Sequence, residues 1–170
     1  MKSKIVIMNS FIITGKNNGY GKYIPNIIKK TINSNFKKEY NVKEIINLKG
    51  RNDIKKLDNL KKKVGVYIFA NKNCKPVYIG LAGAIKKGKH SLKNRLQIQL
   101  NADLSNSTLV KNIREIENLM IKSTSKELIE RYAPKLCVIP TGEVGTNKAI
   151  ESAKDLEKML IFFLKPRYNK

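Results

Sequence analysis

The sequence predicts an α+β domain in which a small antiparallel sheet is flanked by helices. Three observations predict it. The stretch "VGVYIFANKNCKPVYIGLAG", residues 64–83, sets two short apolar runs around a polar turn, the pattern of a β-hairpin. Three later stretches carry apolar residues at helical spacing. No internal repeat or low-complexity tract points to a solenoid or an unstructured linker.

The elements follow in chain order. Residues 4–14, "KIVIMNSFIIT", read as a buried strand because β-branched residues dominate and "GKNNGYGK" closes the run. From Pro25 to Phe36 an amphipathic basic helix is expected. Ile24, Ile27, Ile28, Ile32 and Phe36 keep helical spacing beside Lys29, Lys30, Lys37 and Lys38. "VKEIINL" is a short element, and "NDIKKLDNLKKK" a helix that leads into the hairpin. In "IKKGKHSLKNRLQIQL" the first half reads as a loop. Ser91 then caps a helix with Leu92, Leu96 and Leu100 on one face. Leu109, Ile113, Ile116 and Leu119 mark another helix from Thr108 to Leu119, and "KLCVIPTG" a strand ended by Pro140 and Gly142. The last helix runs from Asn147 to Leu164 and stops before Pro166, since the residue preceding proline leaves the helical region.

With 170 residues, 41% of them hydrophobic, the chain has room for one domain and a small appended subdomain. Lys and Arg total 35 against 13 Asp and Glu, a net charge of +22 that a folded protein tolerates best beside a polyanion. Nucleic acid is therefore the first partner to consider. A membrane is set aside, because no run approaches the length of a spanning helix and the basic stretches lack an aromatic-rich opposite face. The N-terminal "MKSKIVIMNSFIITGK" has no small-residue cleavage site after its apolar run, so a cytoplasmic protein is expected. Cys74 and Cys137 stand alone, which argues for a reducing compartment. His90 is the single histidine, which excludes sites built on two imidazoles and sets zinc chemistry aside.

Four motifs bear on chemistry. "GKNNGYGK" fails as a phosphate-binding P-loop, because five residues separate Gly15 from Gly21 and Lys22 is followed by Tyr23. Lys22 remains as a contact for a DNA phosphate. Tyr67 and Tyr78 are enclosed by Gly65 and Gly80, a pattern open to cross-strand packing or to a site that needs close backbone approach. Arg95 and Gln99, four apart, share a helix face at the margin of the Leu92, Leu96 and Leu100 stripe. Glu157 falls on the apolar stripe of the last helix, formed by Ile150, Ala153, Leu156, Leu160 and Leu164, whereas Glu151 lies off it. A carboxylate on a packed face needs a cation. That partner is Arg95 or a divalent metal.

As an ordered set these residues have a known counterpart: from Val64 to Asn169 the chain resembles the GIY-YIG nuclease family. "GVY" at 65–67 stands for the first tripeptide and "VYIG" at 77–80 covers the second; "SLKNRLQIQL" is similar to the family's arginine helix. "LEKMLIFFLKPRYN" is similar to its glutamate segment, with Pro166 nine and Asn169 twelve residues beyond Glu157. The resemblance implies a three-stranded antiparallel sheet and metal-dependent hydrolysis of phosphodiester bonds. It implies that Tyr67 activates or orients the attacking water and that Tyr78 supports it through hydrogen bonds. Arg95 would hold the scissile phosphate, Glu157 would bind one Mg²⁺ (or Mn²⁺) per active site, and Asn169 would brace the site. The chemistry is coherent, because a cation and a guanidinium supply the charge a pentacovalent phosphate needs.

Two departures from the family pattern stand out. The position four after the arginine, often His or Tyr in the family, is Gln99, which is neither acid nor base at neutral pH. Arg95 stands seventeen positions after Tyr78, a long stretch, and Leu81 stands where some members carry lysine. The inserted loop holds Lys86, Lys87, Lys89 and His90. His90 or Lys89 is expected to supply the missing function, with simple contact to the DNA backbone as the equal alternative.

The expected organisation is a basic extension over 1–63, DNA-binding and dimerising, followed by a nuclease domain over 64–170. The expected function is a type II restriction endonuclease cutting double-stranded DNA as a homodimer, since one active site cuts one strand. Lys22, Lys29, Lys30, Lys86 and Lys87 are expected to grip phosphates. A structure-specific or mobile-element nicking nuclease is one alternative, and a catalytically inactive nucleic-acid-binding module is another.

Overall fold

A computed structural model of the chain describes residues 40–42, 55–83, 91–100, 107–119 and 123–170. The strand expected over 4–14, the helix over 25–36, most of "VKEIINL", the loop over 84–90, and with them Lys22, Lys29, Lys30, Lys86, Lys87, Lys89 and His90, lie outside the described residues.

The described residues form an α+β structure. Strand β1 is Tyr40–Asn41, β2 Lys63–Ala70, β3 Pro76–Ala82 and β4 Lys135–Glu143; helices are α1 Leu92–Leu100, α2 Thr108–Ile116, α3 Ser125–Tyr132 and α4 Asn147–Leu164. The sheet order is β1-β4-β2-β3 and the pairings are antiparallel. The expected three-stranded sheet is there as β4-β2-β3, and the two-residue β1 adds a fourth strand beside Leu136 and Lys135.

Central β2 is buried from Val64 to Ala70, because both of its faces are covered. Tyr67 and Phe69, with Tyr78 of β3, face Leu92, Leu96, Leu109, Ile113, Leu128 and Ile129 of α1–α3. Val66, Ile68 and Ala70 face the other way, toward Ile79, Cys137 and Leu160 of α4. Val42, Leu57 and Leu60 belong to the first of these cores, so described residues ahead of position 64 pack with those after it.

Local signals explain the helix ends. Ser91 caps α1 as expected, its hydroxyl accepting from the Asn94 N–H at 3.3 Å. Helix α4 has the expected bounds; it ends on Lys165 in the left-handed conformation (φ 43°), with Pro166 next.

Four local readings change. The helix expected over 52–63 is a 3-10 helix over Lys55–Leu60, in which buried Leu57 and Leu60, three apart, match a period of three. Helix α2 stops at Ile116 rather than Leu119. Asn118 turns left-handed (φ 50°), and the Leu119 N–H reaches back to the Arg114 carbonyl at 2.9 Å, closing the end. Helix α3 was not expected. Its start is a capping box, with Thr124 Oγ1 accepting from the Glu127 N–H and the Glu127 carboxylate from the Thr124 N–H. Strand β4 continues past Pro140 to Glu143, because the ladder to β2 skips Thr141 and makes a bulge where a residue without an N–H fits.

Candidate active site

Strand β3 is an edge of the sheet, and the candidate site is built along it. Tyr67 comes from β2, Tyr78 from β3, Arg95 and Gln99 from α1, and Glu157 from α4. The strand register sets Tyr67 opposite Gly80 and Phe69 opposite Tyr78. Both tyrosines thereby point to the α1 side, with ring centroids 6.3 Å apart.

Gly80 makes this possible. A Cβ on it would stand 2.4 Å from Cζ and 2.4 Å from Oη of Tyr67, so the phenol lies directly across the glycine. Gly65 serves the bulge instead, since its Cβ would meet the Ile139 carbonyl oxygen at 2.2 Å.

Tyr67 has no exposed surface, whereas Tyr78 keeps 6%. Gln99 Nε2 donates to the Tyr67 hydroxyl at 3.3 Å, and Arg95 and Tyr78 lie close enough to act on the same phenol. Burial raises the Tyr67 phenol above its ordinary value, with Arg95, Gln99 and Tyr78 pulling the other way. Burial and the neighbouring Tyr67 raise Tyr78 as well.

Gln99 is itself buried. Its Oε1 accepts from Ser107 Oγ at 2.9 Å and from the Leu109 N–H at 3.3 Å, so the first turn of α2 holds the side chain in place.

Glu157 is half-buried on α4, as its place on the apolar stripe predicts. Burial raises its carboxyl, against the attraction of Arg95 and a hydrogen bond from the Leu81 N–H. Arg95 thus faces both the tyrosine pair and the carboxylate. Because these neighbours do not offset the burial, additional positive charge beside Glu157 is favourable, and its carboxylate is a fitting ligand for a divalent cation. Among the described residues no three His, Cys, Asp or Glu side chains cluster as a metal group. A cation held here by one protein carboxylate would complete its shell with water and a phosphate, the habit of Mg²⁺.

The free edge of β3 is closed by the C-terminal residues. Asn169 pairs with Ile79 on both sides, Oδ1 accepting from its N–H at 2.8 Å and Nδ2 donating to its carbonyl at 2.7 Å. The Tyr168 N–H donates to the Val77 carbonyl at 2.8 Å. This segment is latched to α2: Asn112 Nδ2 donates to the Tyr168 carbonyl at 2.8 Å, Tyr168 donates its hydroxyl to Glu117 at 2.7 Å, and Arg167 pairs with Glu117 at 3.0 Å. Burial and the Glu117 carboxylate raise the Tyr168 phenol.

The structure therefore brings Tyr67, Tyr78, Arg95, Gln99, Glu157 and Asn169 to one edge of the sheet. Sequence reasoning missed Ser107, Leu109, Asn112, Glu117 and Tyr168 as supports. Ser107 alone had a local signal, as a cap ahead of "TLVKNI", its hydroxyl accepting from the Val110 N–H at 3.3 Å. The others act through contacts that no spacing encodes.

No helix among the described residues is long and apolar enough to cross a membrane. Comparison with known proteins gives no significant match to a family model, a curated protein or a solved structure.

Proposed function

We propose that the chain is a metal-dependent DNA endonuclease of the GIY-YIG type, hydrolysing phosphodiester bonds of double-stranded DNA. The observation that carries this reading is the meeting of Tyr67, Tyr78, Arg95 and Glu157, drawn from four separate elements, at the β3 edge. Packing alone gives no reason for an arginine and a carboxylate to gather around two buried phenols, because each buried polar group carries a desolvation cost.

In the proposed reaction the Arg95 guanidinium holds the scissile phosphate and stabilises its developing charge. Glu157 holds Mg²⁺ or Mn²⁺, which when bound supplies Lewis-acid charge to the phosphate oxygens. The tyrosine pair orients the attacking water, with the slightly exposed Tyr78 as the outer member and enclosed Tyr67 behind it. Gln99 moves no proton, which leaves that role to His90 or Lys89 of the inserted loop. Asn169 holds β3 straight beneath the site.

The biological setting proposed is that of a compact type II restriction enzyme. Cutting both strands at a palindrome calls for two copies related by a two-fold axis. The extension over 1–63, with Lys22, Lys29 and Lys30, and the loop lysines Lys86 and Lys87 would grip the backbone. Gln99 is the feature that favours the rival reading, a nucleic-acid-binding module without catalysis.

Incubation with unmethylated plasmid and Mg²⁺ separates these readings. Discrete fragments support the restriction enzyme, nicked circles or a smear a structure-specific or mobile-element nuclease, and intact plasmid with retained DNA binding the inactive module.

A further inference from the structure

Tyr78 sits on an edge strand, which among the described strands has one neighbour, β2. Along an antiparallel strand the backbone polar groups of successive residues point alternately to the two sides. Tyr78 is set against Phe69 of β2, whereas Val77 and Ile79, one on each side of it, turn their groups to the free edge. The C-terminal segment meets both. The Tyr168 N–H donates to the Val77 carbonyl at 2.8 Å, and the Asn169 side chain takes the N–H and the carbonyl of Ile79 at 2.8 and 2.7 Å. Tyr78 is thereby bracketed along the edge.

The bracket is as firm as whatever holds that segment, and helix α2 holds it. Asn112 Nδ2 donates to the Tyr168 carbonyl at 2.8 Å, and the Tyr168 hydroxyl donates to Glu117 at 2.7 Å. Arg167 pairs with Glu117 and Lys170 with Glu115, but both cations are exposed and such pairs contribute little. Asn112 and Tyr168 are buried, at 8% and 2% exposure, so theirs are the bonds whose loss leaves a polar group without water to replace it. The same helix supports the other phenol. Its cap residue Ser107 and its Leu109 N–H hold Gln99, whose Nε2 donates to Tyr67 at 3.3 Å. Helix α2 gives the proposed reaction no group of its own, yet the supports of both tyrosines end on it.

We propose that Asn112 is a positioning residue for Tyr78: through the Tyr168 carbonyl it seats the C-terminal segment, and that segment fixes the β3 edge on both sides of the tyrosine. The catalytic consequence rests on the nuclease reading, whereas the hold on Tyr78 is a property of the fold. Without Asn112 the segment keeps its place only through surface charges and the Tyr168 hydroxyl, and β3 gains freedom on its outer side. Tyr67, on the central strand and held by Gln99, keeps its position.

Asn112→Leu is the discriminating variant, because it fills a similar volume and gives the Tyr168 carbonyl no donor. Tyr168→Phe is measured as well, and decides alone if Asn112→Leu fails to fold; it keeps the ring beside Tyr132 and loses the bond to Glu117. Amide hydrogen exchange and the carbon shifts of tyrosines labelled at Cζ read the bracket without any need for activity. The expected result is exchange at Ile79 roughly 5- to 10-fold faster, the weight of one hydrogen bond, with a changed Tyr78 shift. The Tyr67 shift and exchange in the β2 and β4 pairing should stay as in the wild type. Exchange that rises equally through the whole sheet marks a merely structural role and overturns the proposal, as does a Tyr78 shift that does not move.

If the wild-type protein cuts DNA, the same variant should lower kcat roughly 10- to 100-fold with little change in KM, the scale of a misplaced catalytic group. An unchanged kcat in a variant whose Tyr78 has moved overturns the catalytic consequence. A wild-type protein that cuts nothing removes the nuclease reading, and exchange at Ile79 together with the Tyr78 shift then decides whether Asn112 positions that tyrosine.

Discussion

The phenol of Tyr67 lies across Gly80 so closely that a Cβ there would stand 2.4 Å from the tyrosine oxygen. The glycine of the second strand is thus a condition for the tyrosine of the first. Gly80→Ala should push the Tyr67 ring out of its hydrogen bond with Gln99 and away from Arg95. The expected cost is about 1–3 kcal/mol, as for other overpacked cores. Thermal unfolding should show a fall of roughly 3–10 °C, and plasmid cleavage should be lost.

Glu157 tests the metal role. Glu157→Ala should abolish cleavage while leaving DNA binding in Ca²⁺ largely intact, as measured by gel shift; cleavage surviving the change would sink the assignment. Titrating Mg²⁺ should raise the melting temperature of the wild type and not that of the variant, because binding to the folded state alone stabilises it.

The same carboxylate has a pH signature. Burial raises its pKa in the folded protein, so between the ordinary carboxylate value and the raised one the folded state binds more protons than the unfolded. Stability then falls as pH rises through that window. Wild-type protein should lose melting temperature relative to Glu157→Gln as pH increases above the ordinary glutamate range, in metal-free buffer. A difference that does not vary with pH would contradict the burial of the carboxylate.

Asn169 closes the edge of β3 through both polar groups of its side chain. Asn169→Ala leaves the Ile79 N–H and carbonyl without these partners, at about 1–3 kcal/mol. Amide hydrogen exchange at Ile79 should accelerate. Asn169→Asp should cost more, since it keeps the acceptor for the Ile79 N–H but sets a carboxylate against the Ile79 carbonyl.

DNA binding should be strongly salt-dependent, given the net charge of +22. Lys29→Ala and Lys30→Ala should each reduce the slope of log K against log salt by about 0.9 if each contacts one phosphate. An unchanged slope in the double variant would remove Lys29 and Lys30 from the interface.

Much of the architecture was legible because its causes are local. Turn residues and β-branched runs mark the hairpin, and an apolar stripe followed by proline marks α4. The same stripe exposed Glu157 as a carboxylate out of place, a discrepancy that periodicity alone can reveal. Helix α3 was legible too, in Thr124 and Glu127, but its few apolar positions, Leu128 and Ile129, make no stripe long enough to draw notice. The bulge at Pro140 was not, because a proline ends a strand unless its own strand takes an extra, unpaired residue there, and that residue, Thr141, is set by the pairing of Val64 and Gly65 with Gly142 and Pro140.

By itself the sequence determined an α+β chain of high positive charge, with two tyrosines on a hairpin, an arginine at a helix margin and a carboxylate on an apolar face. Only the tertiary structure decided that these meet at the β3 edge, that Tyr67 is the enclosed phenol, that Leu109 sets which way the Gln99 amide faces, and that Asn169 pairs with Ile79. The physical reason is range. Periodicity and capping act over a turn or a strand, whereas a hydrogen bond depends on where two groups lie in space, and Asn169 stands 90 residues from the strand it completes.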